Sequence, residues 1–318
     1  MLDKTILLTG ATGFVGHAVA SDLHTRELRL LSRKDPQLAQ CKFCQAEIDK
    51  NSNYSSYLQN VDVVIHAAAR VHVMNDHSSN PLSDFREVNT AGTMNLARQS
   101  VEAGVKRFIF VSSIKVNGES TEIGKPFTES DDRCPKDFYG QSKSEAEVQL
   151  LELAKRTGLE VVIIRPTLVY GPGVKANFAS LLKLVSKGLP LPFGSIKDNK
   201  RSLVSVNNLV DLIVTCIDHP NAVNQVFLVS DDHDVSTASM VKHMSQALGK
   251  SSRLLPVPLW CYRLVGKLTG KTDVVDRLLG SLQVDITHTK NTLGWAPPQT
   301  LEQGFKETAE AFLLNKNK

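Results

Sequence analysis

Three side chains in the middle of the chain have the types and the spacing of a proton-transfer site. Tyr139 and Lys143 are four residues apart at the start of a helix-like segment, residues 139–156, so both lie on one helix face. A tyrosine whose pKa is about 10 is a poor acid–base catalyst at neutral pH, and a lysine ammonium one turn away favours the phenolate. Ser113 ends an apolar run upstream and could hydrogen-bond the substrate oxygen whose proton Tyr139 handles. Taken singly, a Tyr-x-x-x-Lys more often belongs to a solvated helix face and a serine at this place more often only ends a strand, so it is their occurrence together and in order that points to chemistry.

A glycine-rich turn near the N-terminus could bind an anion. Gly10, Gly13 and Gly16 follow an apolar run, residues 4–9, and lead into a helix-like segment, residues 15–23. A strand that turns tightly into a helix presents unpaired backbone N–H groups to a bound anion. The spacing therefore predicts that a dinucleotide pyrophosphate binds at this turn. Gly10 would permit the tight turn, Gly13 would let the pyrophosphate approach the backbone, and Gly16 would let the helix pack closely on the strand.

The elements that must position these residues alternate between strands and helices. Apolar runs predict strands at residues 28–31, 61–66, 107–112 and 160–165, and helical patterns span residues 85–103 and 139–156. This order indicates an α/β protein with a Rossmann-type doubly wound parallel sheet, whose ligands bind at the carboxyl ends of the strands. We expect a dinucleotide-binding domain at residues 1–166 and a smaller C-terminal substrate-binding lobe at residues 167–318. A segment near residues 203–230 is expected to return toward the sheet.

Composition limits the classes of partner. The 318 residues include 37 basic and 33 acidic side chains, and a net charge of +4 is too small a bias to indicate nucleic acid. No apolar run approaches the ~20 residues of a membrane helix, so no membrane partner is expected. Cys41 and Cys44 form a C-x-x-C without a second ligand pair, which predicts no metal site. Five cysteines suggest a reducing, cytoplasmic location.

The motifs together resemble the extended branch of the short-chain dehydrogenase/reductase family, which includes nucleotide-sugar epimerases, dehydratases and ketoreductases. They follow the family's order across nearly the whole chain: Thr9-Gly-Ala-Thr-Gly-Phe-Val-Gly16, Val64-Ile-His-Ala-Ala-Ala69, Asn89-Thr-Ala-Gly-Thr-Met-Asn-Leu96, Val111-Ser-Ser113, Tyr139-Gly-Gln-Ser-Lys143, Arg165-Pro-Thr-Leu-Val-Tyr-Gly-Pro172, Arg201-Ser-Leu-Val-Ser-Val-Asn-Asn-Leu-Val-Asp211 and Leu293-Gly-Trp295.

The resemblance implies a role for each matching residue. Tyr139 would be the acid–base and Ser113 its partner on the substrate, while Lys143 would tune Tyr139 and bind the nicotinamide ribose. Together with Tyr139 and Lys143, the cofactor-binding residues would be Gly10, Gly13, Phe14, Val15, Gly16, Ser32, Arg33, Glu47, Ile48, Ala67 and Ala68, with Asp49 an alternative to Glu47. In the second lobe the substrate-binding residues would be Asn177, Phe193 and Arg201, although Phe193 could instead be a core aromatic and Arg201 a surface ion-pair partner. Asn89 resembles the family's sheet-linking asparagine.

The end of the second strand bears on the choice of cofactor. An acidic residue there binds the free ribose hydroxyls of NAD, whereas this chain has Ser32 and Arg33. A basic residue accommodates a 2′-phosphate, so the pattern favours NADP over NAD. Arg33 could also stack on the adenine of either dinucleotide.

Two enzymatic reactions remain open. Ser113-Ile114-Lys115 replaces the Thr-Asp-Glu of the family's 4,6-dehydratases, so the acid and base of that elimination are absent. The resemblance implies an NAD(P)-dependent nucleotide-sugar 4-epimerase, with UDP as the preferred nucleotide. The alternative is an NADPH-dependent reductase of a UDP-4-keto-(6-deoxy)-sugar, which Ser32 and Arg33 favour. A non-catalytic dinucleotide-binding sensor or scaffold ranks below both, because the chain keeps Ser113, Tyr139 and Lys143.

A homodimer is also implied by the resemblance. The helical segments at residues 85–103 and 139–156 correspond to a four-helix dimer interface in similar proteins. Leu150, Leu151 and Leu153 fit either that interface or the core.

Overall fold

A computed structural model of the protein describes residues 4–38, 41–71 and 80–316. The strands are β1 (Ile6–Thr9), β2 (Leu28–Ser32), β3 (Lys42–Gln45), β4 (Val63–His66), β5 (Arg107–Val111), β6 (Glu160–Pro166), β7 (Leu168–Tyr170), β8 (Arg201–Ser205), β9 (Gln225–Val229) and β10 (Asp234–Val235). The α-helices are α1 (Phe14–Asp22), α2 (Ser55–Leu58), α3 (Pro81–Arg86), α4 (Thr93–Glu102), α5 (Phe138–Thr157), α6 (Ala176–Val185), α7 (Val206–Asp218), α8 (Thr237–Ala247), α9 (Leu259–Thr269), α10 (Thr272–Leu279), α11 (Thr287–Leu293) and α12 (Leu301–Lys316).

Seven parallel strands form the main sheet, in the order β3-β2-β1-β4-β5-β6-β9. The chain runs outward from β1 to β3 and then crosses back to β4, so the strand order reverses between β1 and β4. Ligands of open α/β sheets bind at the carboxyl ends of the strands that flank such a reversal. Thr9 and His66 are register partners there. The predicted doubly wound α/β fold is confirmed.

Helices cover both faces of this sheet. Alternate residues of β1 point to opposite faces: Ile6 and Leu8 join one core with α1 and α7, while Leu7 joins the other core with α4 and α5. Both faces are therefore apolar, which explains the nearly continuous apolar runs of the strands. None of the helices that the structure describes is long and apolar enough to cross a membrane.

The second lobe is built around a three-stranded sheet in the order β10-β8-β7. The rings of Tyr170, Phe178 and Phe305 pack together in its core. The chain returns from this lobe to the main sheet, because β9 pairs in parallel with β6. The division at residue 166 stays a prediction.

A buried carboxylate joins the two sheets. Asp231, two residues after β9, accepts hydrogen bonds from the Tyr170 hydroxyl (2.7 Å) and the Asn208 side-chain amide (2.6 Å). It also accepts from the backbone N–H of Ser205 at 2.8 Å. Burial raises the pKa of Asp231, and these hydrogen bonds act in the opposite direction. One side chain thus fixes the ends of β7, β8 and β9.

The predicted helix at residues 85–103 has a different internal structure. It consists of α3, a π-helical segment at Glu87–Gly92, and α4. The wider π-helical turn shifts the faces of the helix by one residue, and it contains the buried Asn89.

Candidate active site

The turn between β1 and α1 admits only glycine at two positions. Gly10 has φ +80°, and a Cβ there would lie 2.6 Å from the backbone nitrogen of Ala68. A Cβ on Gly16 would overlap the carbonyl oxygen of Gly10. Gly13 is the N-cap residue of α1, and the described residues provide no side-chain hydrogen bond to that helix end. The turn therefore presents backbone N–H groups at close range, as a pyrophosphate site requires.

Residues that could face an adenosine lie at the ends of β2 and β3. Ser32 is buried and its hydroxyl donates to the Lys34 carbonyl (2.6 Å), whereas Arg33 is exposed. Glu47 is exposed and Ile48 is half-buried. The Asp49 carboxylate instead accepts hydrogen bonds within its own turn, among them 2.7 Å bonds from the N–H groups of residues 51 and 52. These local bonds favour Glu47 over Asp49 as the acidic residue available to a ligand.

Helix α4 packs directly on the loop that follows β3. A Cβ on Gly92 would lie 2.9 Å from a methyl carbon of Ile48. The Asn95 side-chain amide donates to the carbonyl oxygens of Asp49 (2.9 Å) and Ser52 (2.8 Å). These contacts fix the loop that carries Glu47 and Ile48 against the start of α4.

The start of α5, which carries Tyr139, packs on the segment after β5, which carries Ser113. Ser113 is half-buried and its Oγ accepts from the Lys115 N–H at 3.3 Å. Tyr139 is the second residue of α5, whose N-cap, Asp137, accepts from the Gly140 N–H at 2.7 Å. A Cβ on Gly140 would lie 2.8 Å from the Lys115 carbonyl oxygen, so the start of α5 touches the chain just beyond Ser113.

Lys143 is buried one turn further along α5. Its Nζ donates to the carbonyl oxygen of Val111, the last residue of β5, at 2.9 Å. It also lies 4.3 Å from the centre of the Phe110 ring. Burial lowers the pKa of Lys143 to about 7, and the Glu147 carboxylate opposes that shift.

The pKa of Tyr139 differs from the sequence-based expectation. Burial raises this pKa above its usual value, and the charge of Asp137 adds to the increase. We expected Lys143 to lower it. In the structure the Lys143 ammonium is directed at the Val111 carbonyl, and at neutral pH its own lowered pKa leaves it only partly charged.

A buried histidine, His66, links the two halves of the site, although no sequence motif indicated a role for it. The Thr9 hydroxyl lies 2.7 Å from Nδ1 of His66, and the Thr93 hydroxyl lies 2.9 Å from Nε2. Because the Thr93 hydroxyl donates to the Asn89 carbonyl (2.8 Å), it must accept from Nε2–H. Nδ1 is then the acceptor of the Thr9 hydroxyl, whose oxygen accepts from the Ala68 N–H at 3.2 Å. In this relay, which runs from the Ala68 N–H through Thr9, His66 and Thr93 to the Asn89 carbonyl, each group donates a hydrogen bond to the next.

Asn89 continues the relay to the helix of Tyr139. Its side-chain oxygen accepts from the Arg70 N–H (2.8 Å), and its amide donates to the Arg70 carbonyl and to the Ser142 hydroxyl, both at 3.0 Å. The Ser142 hydroxyl donates to the Tyr139 carbonyl at 2.8 Å. The glycine turn, the end of β4 and the start of α5 are thus held in one network.

A buried ion pair lies beside the site on α5 and β6, and no sequence motif indicated it. Arg165 on β6 donates to both carboxylate oxygens of Glu147 on α5, the shortest contact being 2.6 Å from Nη2. The Ser112 hydroxyl donates to the same carboxylate at 2.5 Å. Both charged side chains are almost completely inaccessible to solvent. The position of Glu147, four residues after Lys143, places these groups on one face of α5.

Lys115, which stands where the 4,6-dehydratases have the glutamate of Thr-Asp-Glu, is held in ion pairs. Lys115 forms ion pairs with Asp137 and, at 3.1 Å, with Glu119. Burial opposes its charge, but these two carboxylates raise its pKa overall. A lysine held in its charged form cannot serve as the general base of an elimination.

The three predicted residues of the second lobe have different surroundings. Asn177 is exposed near the start of α6, and Phe193 is buried in the core of the lobe, as its alternative interpretation predicts. The Arg201 guanidinium donates to the carbonyl oxygens of Arg277 (2.7 Å) and Gly280 (3.2 Å). Burial and the Arg277 charge lower its pKa. Among the described residues no carboxylate pairs with Arg201, so it is not a surface ion-pair partner.

The sequence of this chain is similar to the sequences of several known proteins. The profile of the NAD dependent epimerase/dehydratase family matches residues 6–230. The chain is 61% identical to the UDP-glucose 4-epimerase of Vibrio cholerae, over 100% of this chain and 98% of that protein. It is 28% identical to the N-acetyl-alpha-D-glucosaminyl-diphospho-ditrans,octacis-undecaprenol 4-epimerase of Escherichia coli O157:H7, over 97% and 95% of the two chains.

Solved structures share the fold. The UDP-glucose 4-epimerase of Thermotoga maritima with UDP-glucose superposes with a TM-score of 0.78 at 22% identity, covering 98% of this chain and 99% of that one. The UDP-N-acetylglucosamine 4-epimerase of Methanobrevibacter ruminantium M1 gives a TM-score of 0.80 at 18% identity, covering 99% and 100%. At these identities the likeness supports the fold alone.

Proposed function

The chain belongs to the NAD dependent epimerase/dehydratase family, and from that premise we propose that it is a nucleotide-sugar 4-epimerase acting on UDP-glucose and its C4 epimer. The 61% identity to the Vibrio cholerae enzyme over the full chain supports this substrate. The observation that carries the reaction is the position of Lys143, whose ammonium reaches the end of β5 two residues before Ser113, on the same helix face as Tyr139.

The glycine turn fits a dinucleotide. Gly10, Gly13 and Gly16, with the backbone of Phe14 and Val15, would hold the pyrophosphate, because a Cβ at Gly10 or Gly16 would clash with neighbouring backbone and prevent this tight turn. Ala67 and Ala68, half-buried after β4, would leave room for the ribose and nicotinamide. When bound, NAD would supply an acceptor for the hydride of the sugar C4 and, once reduced, a donor that returns the hydride to the opposite face of C4.

The chain's own residues would handle the proton at O4. In the cofactor-free protein burial keeps Tyr139 protonated. The positive charge of bound NAD would favour the phenolate of Tyr139, which would take the O4 proton while C4 loses its hydride to NAD and C4–O becomes a double bond. After the 4-keto sugar turns over, Tyr139 would return the same proton to O4 as C4 is reduced. Ser113 would hydrogen-bond O4 throughout, and charged Lys143 would stabilise the phenolate and bind the nicotinamide ribose. Substrate and product differ only in configuration, so no net redox change occurs.

For the cofactor we propose NAD. The sequence-based preference for NADP rests on Ser32 and Arg33 and stays a prediction. The Ser32 hydroxyl already donates to the Lys34 carbonyl. Arg33 is exposed and can stack on the adenine of either dinucleotide. The reductase alternative depends on the same two residues.

The substrate-binding roles of Asn177 and Arg201 are also proposed here. Arg201 is held rigidly by two carbonyl oxygens and has no carboxylate partner among the described residues, so its charge is available to a diphosphate. Phe193 would act from the core by supporting the neighbouring backbone. A homodimer through α4 and α5, a cytoplasmic location and the division of domains at residue 166 complete the proposal.

Three measurements test the function. Denaturing the purified protein and identifying the released dinucleotide should give NAD, and the protein should convert UDP-glucose to its C4 epimer. Tyr139→Phe should lower kcat by about 100-fold to 10,000-fold, because the O4 proton then has no acceptor. Tyr57→Phe, which removes an exposed hydroxyl on α2, is the matched control and should keep full activity.

Other outcomes would replace the proposal. Full turnover by Tyr139→Phe would remove the catalytic assignment. Empty sites that fill with NADPH, together with one-way reduction of a UDP-4-keto-sugar, would establish the reductase instead.

A further inference from the structure

The helical hairpin α9–α10 leaves an unusual amount of apolar surface in solvent. The described residues include fifteen large apolar side chains that are exposed, and seven of them lie between residues 255 and 274. They are Leu255, Leu259, Trp260, Leu264, Val265, Leu268 and Val274. Single exposed apolar residues need no explanation, but a concentrated set marks an interaction surface.

The hairpin is attached to the second lobe by its inner face only. Tyr262 of α9, with Leu278 and Leu279 of α10, packs against the core of that lobe. The two helices are in close contact, since a Cβ on Gly266 would lie 2.8 Å from Val275. The opposite face of the hairpin is therefore free to bind something else.

The outer face of α9 carries an ordered apolar stripe. Trp260, Leu264 and Leu268 recur every four residues, so they lie along one side of the helix. Trp260 is 65% exposed and Leu268 is 78% exposed, the highest value among the exposed apolar side chains. Arg263 and Lys267 each precede a stripe residue and lie beside the stripe.

The charge of the molecule is concentrated in the same segment. Residues 250–279 carry six basic and two acidic side chains, which is the entire net charge of +4. The six basic residues are Lys250, Arg253, Arg263, Lys267, Lys271 and Arg277, and all are exposed. In the described parts of the chain, none of them pairs with a carboxylate.

From this arrangement we propose that the α9–α10 hairpin docks on the surface of an anionic lipid bilayer. Tryptophan and leucine on one face, with flanking lysine and arginine, are what an interfacial helix needs to enter the headgroup region. The positive charge selects a negatively charged partner and opposes pairing with a second copy of the same hairpin. Interfacial docking needs no spanning helix, so it is compatible with the lack of one among the described residues. The sequence-based expectation of no membrane partner considered spanning segments only.

Vesicle binding by the full chain tests the proposal. The protein should sediment with vesicles of phosphatidylcholine and phosphatidylglycerol at low ionic strength. It should bind much less to phosphatidylcholine alone or at high salt. The emission of Trp260 should shift to shorter wavelength on binding, because the second tryptophan, Trp295, is already buried. Trp260→Ser combined with Leu268→Ser should weaken binding at least about tenfold, since two apolar anchors are lost.

A matched variant distinguishes vesicle binding by the hairpin from vesicle binding by any exposed apolar side chains. Leu313→Ser combined with Leu314→Ser removes two exposed leucines from α12 and should leave vesicle binding unchanged. Circular dichroism should show all variants folded, and their epimerase activity without vesicles should equal that of the unmodified protein.

The proposal is overturned if the unmodified, folded protein does not bind anionic vesicles, or if the Trp260/Leu268 variant binds them equally. It is also overturned if the hairpin variant instead converts a dimer to a monomer, which would assign the surface to a second copy. Because vesicle binding is measured without substrate, its failure leaves the proposed epimerase reaction untouched.

Discussion

His66 is a structural residue with consequences for the chemistry. Burial lowers its pKa to about 3, and the nearby Lys143 contributes, so the imidazole is neutral under all physiological conditions. A neutral ring has one donor and one acceptor nitrogen, and the relay uses both. His66 is therefore a positioning residue that connects the glycine turn to Asn89 and, through Ser142, to the backbone of Tyr139.

Thr93→Val tests this relay with little change in shape. The valine removes the acceptor of His66 Nε2–H and the donor to the Asn89 carbonyl. We expect kcat to fall about tenfold with KM for the UDP-sugar nearly unchanged, since a buried donor is left unpaired and Tyr139 is mispositioned. Thr93→Ser should restore kcat because it keeps the hydroxyl.

Thr157→Val provides the control for that variant. It removes a hydroxyl that bonds to the Leu153 carbonyl at the exposed end of α5, so kcat should not change. Equal loss of kcat and of thermal stability in both threonine variants would show that the effect is general and that no positioning relay exists.

Lys143 makes stability depend on pH. Its folded pKa of about 7 is below its unfolded value, so between these two values the unfolded chain binds more protons. Burying the charged amine therefore lowers the free energy of unfolding, and this penalty is complete below about pH 7. The penalty is relieved as pH rises from about 7 toward about 10.

Lys143→Met should accordingly stabilise the cofactor-free protein at pH 6, by a few degrees in Tm. The difference from the unmodified protein should shrink as pH rises above 7. Calorimetry between pH 6 and pH 9.5 measures it, and activity should be lost at every pH. A constant Tm difference across that range would contradict the lowered pKa.

At the scale of elements, α5 and β6 are joined by Glu147 and Arg165. Arg165→Met would leave the buried Glu147 carboxylate without its bidentate partner, held by the Ser112 hydroxyl and the partly exposed Arg133, and breaking one side of a buried pair costs about 3–5 kcal/mol. We expect a correspondingly lower free energy of unfolding in urea. Combining Arg165→Met with Glu147→Leu should recover much of the loss, because no fully buried charge remains and the released Arg133 side chain is 33% exposed.

The surface pair of Arg86 and Glu145 is the natural control. It has the same bidentate geometry, with a shortest distance of 2.6 Å, but both side chains are accessible to solvent. Arg86→Met should therefore change the free energy of unfolding by less than about 1 kcal/mol. Comparable losses in the two arginine variants would show that burial does not determine the effect.

The sequence predicted the regular elements well and the connections between them poorly. The predicted strands 28–31, 107–112 and 160–165 agree with β2, β5 and β6 to within one residue at each end. Apolar periodicity reports burial, and these strands are buried on both faces. Strand β3 was not predicted, because only Cys44 of its four residues is buried and the edge of a sheet leaves little pattern.

The residues of the candidate site likewise divide into those that the sequence predicted and those that it did not. Gly10, Tyr139 and Lys143 have fixed spacings along the chain, so the sequence predicted them directly. His66, Glu147 and Arg165 act through partners 14 to 57 residues away, and such pairings depend on the fold. A signal for Arg165 was available: a charged residue at the end of the apolar strand Val161–Ile164 needs a buried partner. The π-helical turn around Asn89 left no signal in the apolar periodicity.

At the scale of the whole molecule, the proposed homodimer can be located on α5. Leu150 is buried in the core, and Leu151 and Leu153 pack partly against it, so these leucines serve the fold first. Val148 is exposed on the same helix and is available to a second copy.

Val148→Glu should therefore convert the dimer to a monomer, because a carboxylate would be buried at the four-helix contact. Sedimentation at micromolar concentration measures the change. Ile123→Glu, at an exposed apolar position outside the helices, should leave the dimer intact. A monomeric unmodified protein under the same conditions would contradict the dimer itself.

The pairing of β6 with β9 has a consequence for how this protein is made. The ribosome releases β6 well before β9, and the residues between them build β7, α6, β8 and α7. At about 5–20 residues per second, the aliphatic edge of β6 waits several seconds for its neighbouring strand. During that time the nascent chain exposes the strand edge Val161–Ile164, the kind of surface that chaperones recognise and that aggregates when left uncovered.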